Sequence, residues 1–409
     1  MFLKSYTGRQ ALLAALVANA IKPVRGPATV VPVFFASWLT SELAPHILVA
    51  QALDTLRALR RREATLTGLV LAALSAAGLG WMLKRSHDVA DQVDTLLREE
   101  LEIAEDLQPK TRLGAYARPF KYADRGVRVL RDIPYTEGGR RAQLDIYLPA
   151  EGAIEKAPVL LQIHGGGWTI SHKGQQGLLL MNQMAARGWV CVAANYRLAP
   201  KYRWPTQIID VKRAIAWVHE NIAEYGGDPD YLILTGGSAG GHLSALATVT
   251  PSDPAWQPDF EDADTSVSGC VPFYGIYDFD SDDAYSKTMR QFLSRVVFPK
   301  GATTVDFRNA SALHRLSDDV PEFLVVHGTN DSLANIEQAR TFVARLREIN
   351  PGKVTYLELP GTQHAFEVFG SVRARHVLRG VGRWLDWHRA QWLAEHDRVE
   401  QSEVATPNG

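Results

Sequence analysis

Short apolar segments alternate with amphipathic segments over the last two-thirds of the chain. The apolar segments have the length of buried strands, and the stretches between them, such as 206–225 and 335–349, have helical spacing. This alternation predicts a mostly parallel sheet with helices on both faces. The predicted strands are 127–133, 143–148, 159–164, 189–195, 231–235, 269–274, 322–327 and 353–359. A turn at Gly138-Gly139 joins the first two, which we expect to pair antiparallel.

Two long apolar runs dominate the first 85 residues. Residues 28–52 carry a single charge, Glu42, and residues 64–83 carry none over 20 residues. A helix of that length matches the ~30 Å hydrocarbon core of a bilayer. Residues 1–85 are therefore predicted to form a hydrophobic helical region that anchors the protein in a membrane through 28–83. The alternative is a hydrophobic hairpin packed on the catalytic domain, which the prolines and Glu42 of the first run would suit.

The remaining divisions follow from changes in composition. Residues 86–125 are predicted to form an amphipathic helical linker, and residues 126–392 the catalytic domain. A small cap is expected around 277–319, between the sixth and seventh strands. Residues 393–409 form a polar tail that we expect to be disordered. Basic residues flank both apolar runs on both sides, so the side of the membrane on which the domain lies is not determined.

Charge and cysteine content exclude several function classes. The 409 residues carry a formal net charge of -1, which gives no general affinity for nucleic acid. The two cysteines, Cys191 and Cys270, lie in apolar segments and are expected to be free buried thiols. They leave the redox compartment open. No Cys/His cluster has zinc spacing, so no metal or cofactor is predicted. The oligomeric state does not follow from the sequence.

The segment Gly236-Gly-Ser-Ala-Gly240 lies between the fifth predicted strand and a helix. G-x-S-x-G in that context is a nucleophile turn, which strains the serine and lifts its hydroxyl above the sheet. Ser238 is therefore the candidate nucleophile. A glycine-rich turn that only packs tightly or binds a phosphate is the alternative.

Three glycines follow His164 at the end of the third predicted strand. This is the position at which an oxyanion loop belongs, because glycines leave backbone N–H groups free to face an anion. Gly165 and Gly166 are predicted to donate to the developing oxyanion, with Ala239 as a third donor.

A carboxylate and a histidine follow the last two predicted strands. Asp331 comes just after the seventh strand and His364 just after the eighth. The chain order Ser238, Asp331, His364 is that of a serine hydrolase triad on an α/β-hydrolase sheet. Asp278, beyond the sixth strand, and Asp210, on a helix, are competing acids. The other histidines near motifs are expected to be structural: His164, His242 and His327.

These motifs together resemble the hormone-sensitive-lipase-like group of α/β-hydrolase esterases, over residues 127–389. The shared motifs are HGGG at 164–167, Asn195-Tyr-Arg-Leu-Ala-Pro200, GGSAGG at 236–241, and the loops that carry Asp331 and His364. The N-terminal region lies outside the resemblance, although bacterial esterases of this kind include some with hydrophobic extensions. The chain departs from the group at Gly237, where aspartate is common, and at Ser332, where proline is frequent.

The resemblance implies a serine carboxylesterase or lipase that hydrolyses a small-molecule or lipid ester through an acyl-enzyme, without a cofactor. The HGGxW variant of the oxyanion motif keeps an arylformamidase or amidase open as an alternative. A non-catalytic ligand receptor on the same fold is disfavoured because His364 is present. Aromatic side chains predicted as pocket walls are Trp168, Phe273, Tyr274, Phe292 and Phe366. The natural ester and its acyl chain length are not determined by the sequence.

Overall fold

Helices and strands cover most of the chain in a computed structural model that describes residues 4–24, 29–103, 113–152 and 155–405. Four helices precede the sheet: α1 (Tyr6–Ile21), α2 (Val30–Glu42), α3 (Ala44–Arg60) and α4 (Leu66–Leu101). The strands are β1 (Val127–Pro134), β2 (Gln143–Pro149), β3 (Ala157–Ile163), β4 (Val190–Ala194), β5 (Gly227–Gly237), β6 (Gly269–Phe273), β7 (Glu322–Gly328) and β8 (Val354–Leu359). Further α-helices are α5 (Leu113–Tyr116), α6 (Leu178–Ala185), α7 (Thr206–Asn221), α8 (Ala239–Thr248), α9 (Ala284–Val296), α10 (Thr304–Asn309), α11 (Glu337–Ile349) and α12 (Val372–Ala405).

The strands form one sheet in the order β1-β2-β4-β3-β5-β6-β7-β8. β2 pairs antiparallel with both β1 and β4, and all other neighbours are parallel. The predicted α/β-hydrolase sheet and its antiparallel start are thus confirmed. Because parallel strands end at the same edge, the loops after β3, β5, β6, β7 and β8 all meet there.

A hydrophobic core covers each face of the sheet. Alternate residues of β3 supply both cores: Val159 and Leu161 face one, and Leu160 faces the other. The first core lies beneath α7, α8 and α11, and the second beneath α4, α6 and α12. Each fully buried aliphatic side chain of this kind contributes roughly 1.5–3 kcal/mol. Both cysteines are buried and free, as predicted.

α4 joins the second apolar run to the predicted linker in one helix of 36 residues. The expected boundary between residues 85 and 86 is wrong, because neither proline nor glycine interrupts the helical sequence there. Val89, Val93 and Leu97 of its second half belong to the core that also contains α12. The rest of the linker at 104–112 lies outside the described residues.

The first apolar run is not one straight helix. α2 and α3 meet at Leu43 with a bend of 82°. Pro45 occupies the first turn of α3, where proline begins a helix but cannot continue a preceding one. Among the described helices, α4 is by itself long and apolar enough to cross a membrane, judged by length and composition.

A buried ion pair fastens α2 to the catalytic domain. Arg373 Nη1 donates to Glu42 Oε1 at 2.5 Å, and Ser371 Oγ donates to Glu42 Oε2 at 2.7 Å. Both charged side chains are 1% exposed. The single charge of the first apolar run therefore pairs with the domain, so the α2 half of that run packs on protein.

The C-terminal segment is also more regular than expected. α12 continues to Ala405, so residues 393–405 are helical and the predicted disordered tail is wrong over that range. The physical reason is that no proline or glycine occurs between Trp392 and Ala405 to end the helix. Residues 406–409 lie outside the described part of the chain. The expected cap region, 277–319, contains α9 and α10.

Removal of Glu42 should destabilise the whole protein. In Glu42→Ala the buried Arg373 guanidinium loses its partner, which typically costs about 3–5 kcal/mol. We expect a clear fall in melting temperature, measured by differential scanning calorimetry. Asp88→Ala is the matched control, because it breaks the exposed Lys84–Asp88 pair, which is worth at most about 1 kcal/mol. Equal shifts in the two variants would contradict the role given to the buried pair.

Candidate active site

Ser238 lies on a strained turn between β5 and α8. Its φ of 58° and ψ of -119° are unusual for a residue with a side chain. The turn is fixed by close backbone contact, since a Cβ on Gly240 would lie 2.1 Å from the carbonyl oxygen of Ile163. The Ser238 amide donates to the carbonyl of Phe273 at 3.0 Å. The geometry is that of a nucleophile elbow, and Ser238 stays partly exposed.

The loops after β7 and β8 bring Asp331 and His364 together. His364 Nδ1 lies 2.6 Å from Asp331 Oδ2, and the two side chains are 5% and 0% exposed. The other carboxylate oxygen accepts from the backbone amides of Leu333, at 2.8 Å, and Ala334, at 2.7 Å. Since an ionised carboxylate only accepts, the proton of the neutral imidazole belongs on Nδ1, and Nε2 is the basic nitrogen.

Asp331 is held in its ionised form. Burial alone would raise the pKa of this carboxyl, but His364 and His327 beside it outweigh burial and lower the pKa below its ordinary value. His327 Nε2 lies 3.3 Å from Asp331 Oδ2 and 3.1 Å from the carbonyl of Ala334. This histidine, predicted to be structural, thus contacts the candidate acid directly.

The two competing acids, Asp278 and Asp210, contact side chains other than His364. Asp278 Oδ1 lies 3.1 Å from His314 Nε2. Asp210 accepts the Arg197 guanidinium at 2.6 Å and the Arg197 backbone amide at 2.8 Å. Of these carboxylates, Asp331 is therefore the one that the fold places against His364.

The predicted oxyanion donors differ in availability. The Gly165 amide donates to Gln176 Oε1 at 2.5 Å, so this predicted donor is occupied. No acceptor for the Gly166 or Gly167 amide lies among the described residues. Ala239 is the first residue of α8, where an amide has no acceptor inside the helix. The available donors are therefore Gly166, Gly167 and Ala239. Gly167 was not predicted as an oxyanion donor. The hydrogen bond by which Gln176 occupies the Gly165 amide is evident only from the three-dimensional structure.

The predicted pocket aromatics occupy different places. The Tyr274 ring centroid is 4.4 Å from that of His364, and Phe273 and Phe366 are buried in the same core. Trp168 belongs to the opposite core, where its Nε1 donates to His242 Nδ1 at 3.2 Å. Its place as a pocket wall stays a prediction, and the indole is buried in that core with 2% exposure. Phe292 is exposed on α9.

α2 contributes contacts to the site that the sequence did not indicate. The Phe34 ring stands edge-on to His364 at a centroid distance of 6.0 Å. Trp38 Nε1 donates to the carbonyl of Ala365 at 2.8 Å. α1 contributes as well: at the loop of the acid, Asn330 Nδ2 donates to the carbonyl of Ile21, the last residue of α1, at 3.1 Å. The sequence feature that could have indicated these contacts is the aromatic pair at positions 34 and 35. Hydropathy alone places such a pair in lipid.

The departure at Gly237 has a steric cause. A Cβ at this position would lie 2.5 Å from Tyr274 Oη and 2.9 Å from its ring carbons. Both separations are shorter than real carbon contacts, so the Tyr274 hydroxyl occupies the space that a side chain before the nucleophile would need. The described residues contain no group of His, Cys, Asp and Glu side chains suited to a metal ion.

Comparison with known proteins places the chain among esterases. The BD-FAE family model matches residues 144–346. The probable carboxylic ester hydrolase LipM of Mycobacterium tuberculosis is 42% identical over 92% of this chain and 91% of its own length. Esterase LipQ of the same organism is 45% identical over 62% of this chain and 61% of its own length.

Solved structures share the fold. Esterase B of Lactobacillus rhamnosis, in a complex titled as inhibited by a tributyrin phosphonate, aligns with a TM-score of 0.57 and 21% identity, covering 69% of this chain and 92% of that one. Butyrate-bound esterase 2 of Thermogutta terrifontis aligns with a TM-score of 0.53 and 23% identity, covering 70% and 97% of the two chains.

A side chain at position 237 should disturb the elbow. Gly237→Ala forces Tyr274 to move, and overpacking of this kind costs about 1–3 kcal/mol. We expect a lower melting temperature together with reduced ester turnover. Gly352→Ala is the matched control, because a Cβ there meets nothing within 4 Å. Wild-type stability and turnover in Gly237→Ala would show that Tyr274 does not restrict this position.

Proposed function

The chain belongs to the carboxylic ester hydrolases of the α/β-hydrolase fold, the family of its mycobacterial relatives, and on that premise we propose that Ser238, His364 and Asp331 carry out its reaction. The observation that supports this most directly is the buried hydrogen bond of 2.6 Å between His364 Nδ1 and Asp331 Oδ2. It orients the imidazole at the sheet edge where Ser238 stands on its strained turn.

The proposed reaction is acyl transfer to water. His364 Nε2 takes the proton of Ser238 as the hydroxyl oxygen attacks the ester carbonyl. The negative charge of the tetrahedral intermediate is stabilised by the amides of Gly166, Gly167 and Ala239. His364 then protonates the leaving alcohol, and a water molecule repeats the sequence on the acyl-enzyme. Ionised Asp331 fixes the tautomer and stabilises the imidazolium.

We further propose that α1, α3 and the first half of α4 lie in a lipid bilayer. Two glutamines are buried between these helices: Gln51 Nε2 donates to Gln10 Oε1 at 3.1 Å and to the carbonyl of Ala72 at 2.9 Å. Gln10 Nε2 in turn donates to Asp54 at 3.1 Å. Polar groups that satisfy one another inside a helical bundle are typical of membrane proteins, because lipid offers no partner.

The outer surface of the same bundle is apolar. The exposed large hydrophobic residues of α3 and α4 are Val49, Leu53, Leu56, Leu59, Leu66, Val70, Leu74 and Trp81. Near the middle of α4, where its apolar first half ends, the Arg85 guanidinium lies 4.9 Å from the Trp81 ring. An aromatic residue beside a basic one is typical of a membrane–water interface. These features support an integral N-terminal region with the catalytic domain outside the bilayer.

Ser238→Ala should abolish ester hydrolysis while the protein remains folded. Loss of the nucleophile of a serine triad costs about 10⁶-fold in kcat. The assay uses p-nitrophenyl esters of rising chain length beside an N-formyl arylamide, on purified enzyme. Ser244→Ala, at a buried serine further along α8, is the matched control and should keep wild-type turnover. Residual activity in a folded Ser238→Ala variant would refute the proposed nucleophile, and faster cleavage of the amide would identify an arylformamidase.

Arginine on the apolar surface of the bundle should release the protein from membranes. Leu53 and Leu74 are each 63% exposed, and arginine at the centre of a bilayer costs about 2.5–3.5 kcal/mol. We expect wild-type protein to resist alkaline carbonate extraction and Leu53→Arg/Leu74→Arg to appear in the soluble fraction with its esterase activity. Val305→Arg/Leu393→Arg, at exposed apolar sites of the catalytic domain, is the control. Extraction of the wild-type protein by carbonate would exclude an integral region.

A further inference from the structure

The Tyr274 side chain contacts both the residue before the proposed nucleophile and the proposed base. On one side its hydroxyl fills the space beside Gly237, the residue before the nucleophile. On the other side its ring packs on the His364 imidazole with centroids 4.4 Å apart at 52°. The Tyr274 amide donates to the carbonyl of Val326 at 2.7 Å, which ties this residue to β7. The ring therefore links the turn that carries Ser238 to the His364 imidazole.

Glu367 determines where that ring stands. The Tyr274 hydroxyl donates to Glu367 Oε1, and both side chains are buried. Burial raises the pKa of Tyr274 well above its ordinary value, so the phenol remains a donor at every working pH. Glu367 lies three residues beyond His364, so its carboxylate reaches the ring from the same loop as the base.

We propose that Tyr274 and Glu367 are a positioning pair for ester hydrolysis: the ring sets the distance between the Ser238 elbow and His364, and the carboxylate fixes the ring. The inference rests on the proposed triad and adds two residues to it. It also accounts for Gly237, since a tyrosine that follows β6 and a glutamate from the base loop occupy the space beside a position where aspartate is common in similar esterases.

The groups around Glu367 make the pair sensitive to pH. His364 and Tyr274 face it directly, Tyr122 approaches from the segment before β1, and Glu42 approaches from α2 with its own partner Arg373. Burial raises the pKa of Glu367 to about 7. Above that pH the carboxylate is ionised and accepts strongly from Tyr274. Below it, the neutral acid is a weaker acceptor and the ring is held less firmly.

The test compares Tyr274→Phe, Glu367→Gln and the double variant with wild type. Tyr274→Phe keeps the ring but loses its anchor, so we expect kcat to fall about 10- to 100-fold while KM changes less than two-fold. Glu367→Gln retains an acceptor oxygen and should lose less activity than Tyr274→Phe. The double variant should match Tyr274→Phe alone, because the two residues act as one unit.

Tyr277→Phe is the matched control. Tyr277 is a buried tyrosine near the same strand end, but its ring stacks on Phe342 at 4.3 Å and not on His364. This variant should keep wild-type kcat. Wild-type kcat in Tyr274→Phe, or losses that multiply in the double variant, would overturn the proposal. A loss of kcat in Tyr277→Phe as large as in Tyr274→Phe would also overturn it, since any buried tyrosine would then suffice.

The pH profile separates positioning from a purely structural role. In wild type the anchor weakens as Glu367 becomes protonated, so the ratio of wild-type kcat/KM to that of Glu367→Gln should fall as the pH is lowered through about 7. A ratio that stays constant over this pH range would refute the part assigned to Glu367. Ser238→Ala separates the two levels of inference: if that variant is inactive and Tyr274→Phe is normal, only the positioning pair fails.

Discussion

Close backbone packing at the end of β5 is the constraint on which the site depends. Gly240 brings the start of α8 so near to β3 that its missing Cβ would lie 2.1 Å from the Ile163 carbonyl. This contact strains Ser238 and sets the first turn of α8, with the Ala239 amide, beside the loop that follows β3. On the other side Gly237 admits the Tyr274 hydroxyl. One turn, which has no room for an additional carbon atom, thus positions the proposed nucleophile, the oxyanion loop and the residue that packs on the proposed base.

The N-terminal helices are part of the site as well as its attachment. α2 packs Phe34 against His364, and Trp38 bonds the carbonyl of the next residue, Ala365. The buried pair of Glu42 and Arg373 holds the end of α2 on the domain. One face of α2 therefore packs on the catalytic domain, as the packed alternative expects. Exposed apolar side chains remain on α2, at Val31, Phe35 and Leu39, and on α3 and α4, for which we propose contact with lipid.

How well a feature could be predicted from the sequence depended on how far apart along the chain its interacting residues lie. The strands were predictable because their apolar pattern is local and clear, and the proximity of Asp331 and His364 follows because each comes directly after a strand. The occupied amide of Gly165 was not predictable, because its partner Gln176 folds back from 11 residues away. Phe34 was missed because an apolar helix that covers a catalytic loop has the same hydropathy as one that enters lipid. The Tyr274–Glu367 contact joins residues 93 positions apart, which no local pattern records.

Three buried carboxylates, Glu42, Asp331 and Glu367, lie in or beside the proposed site, and each is paired with a different kind of donor. Glu42 has the Arg373 guanidinium, and Asp331 has two imidazoles and two backbone amides. Glu367 has the Tyr274 phenol, a neutral donor, and burial raises the pKa of this carboxyl to about 7. A neutral partner compensates desolvation less than a charged one. Of Asp331 and Glu367, it is therefore Glu367, the carboxylate that holds the ring against His364, that ionises near neutral pH.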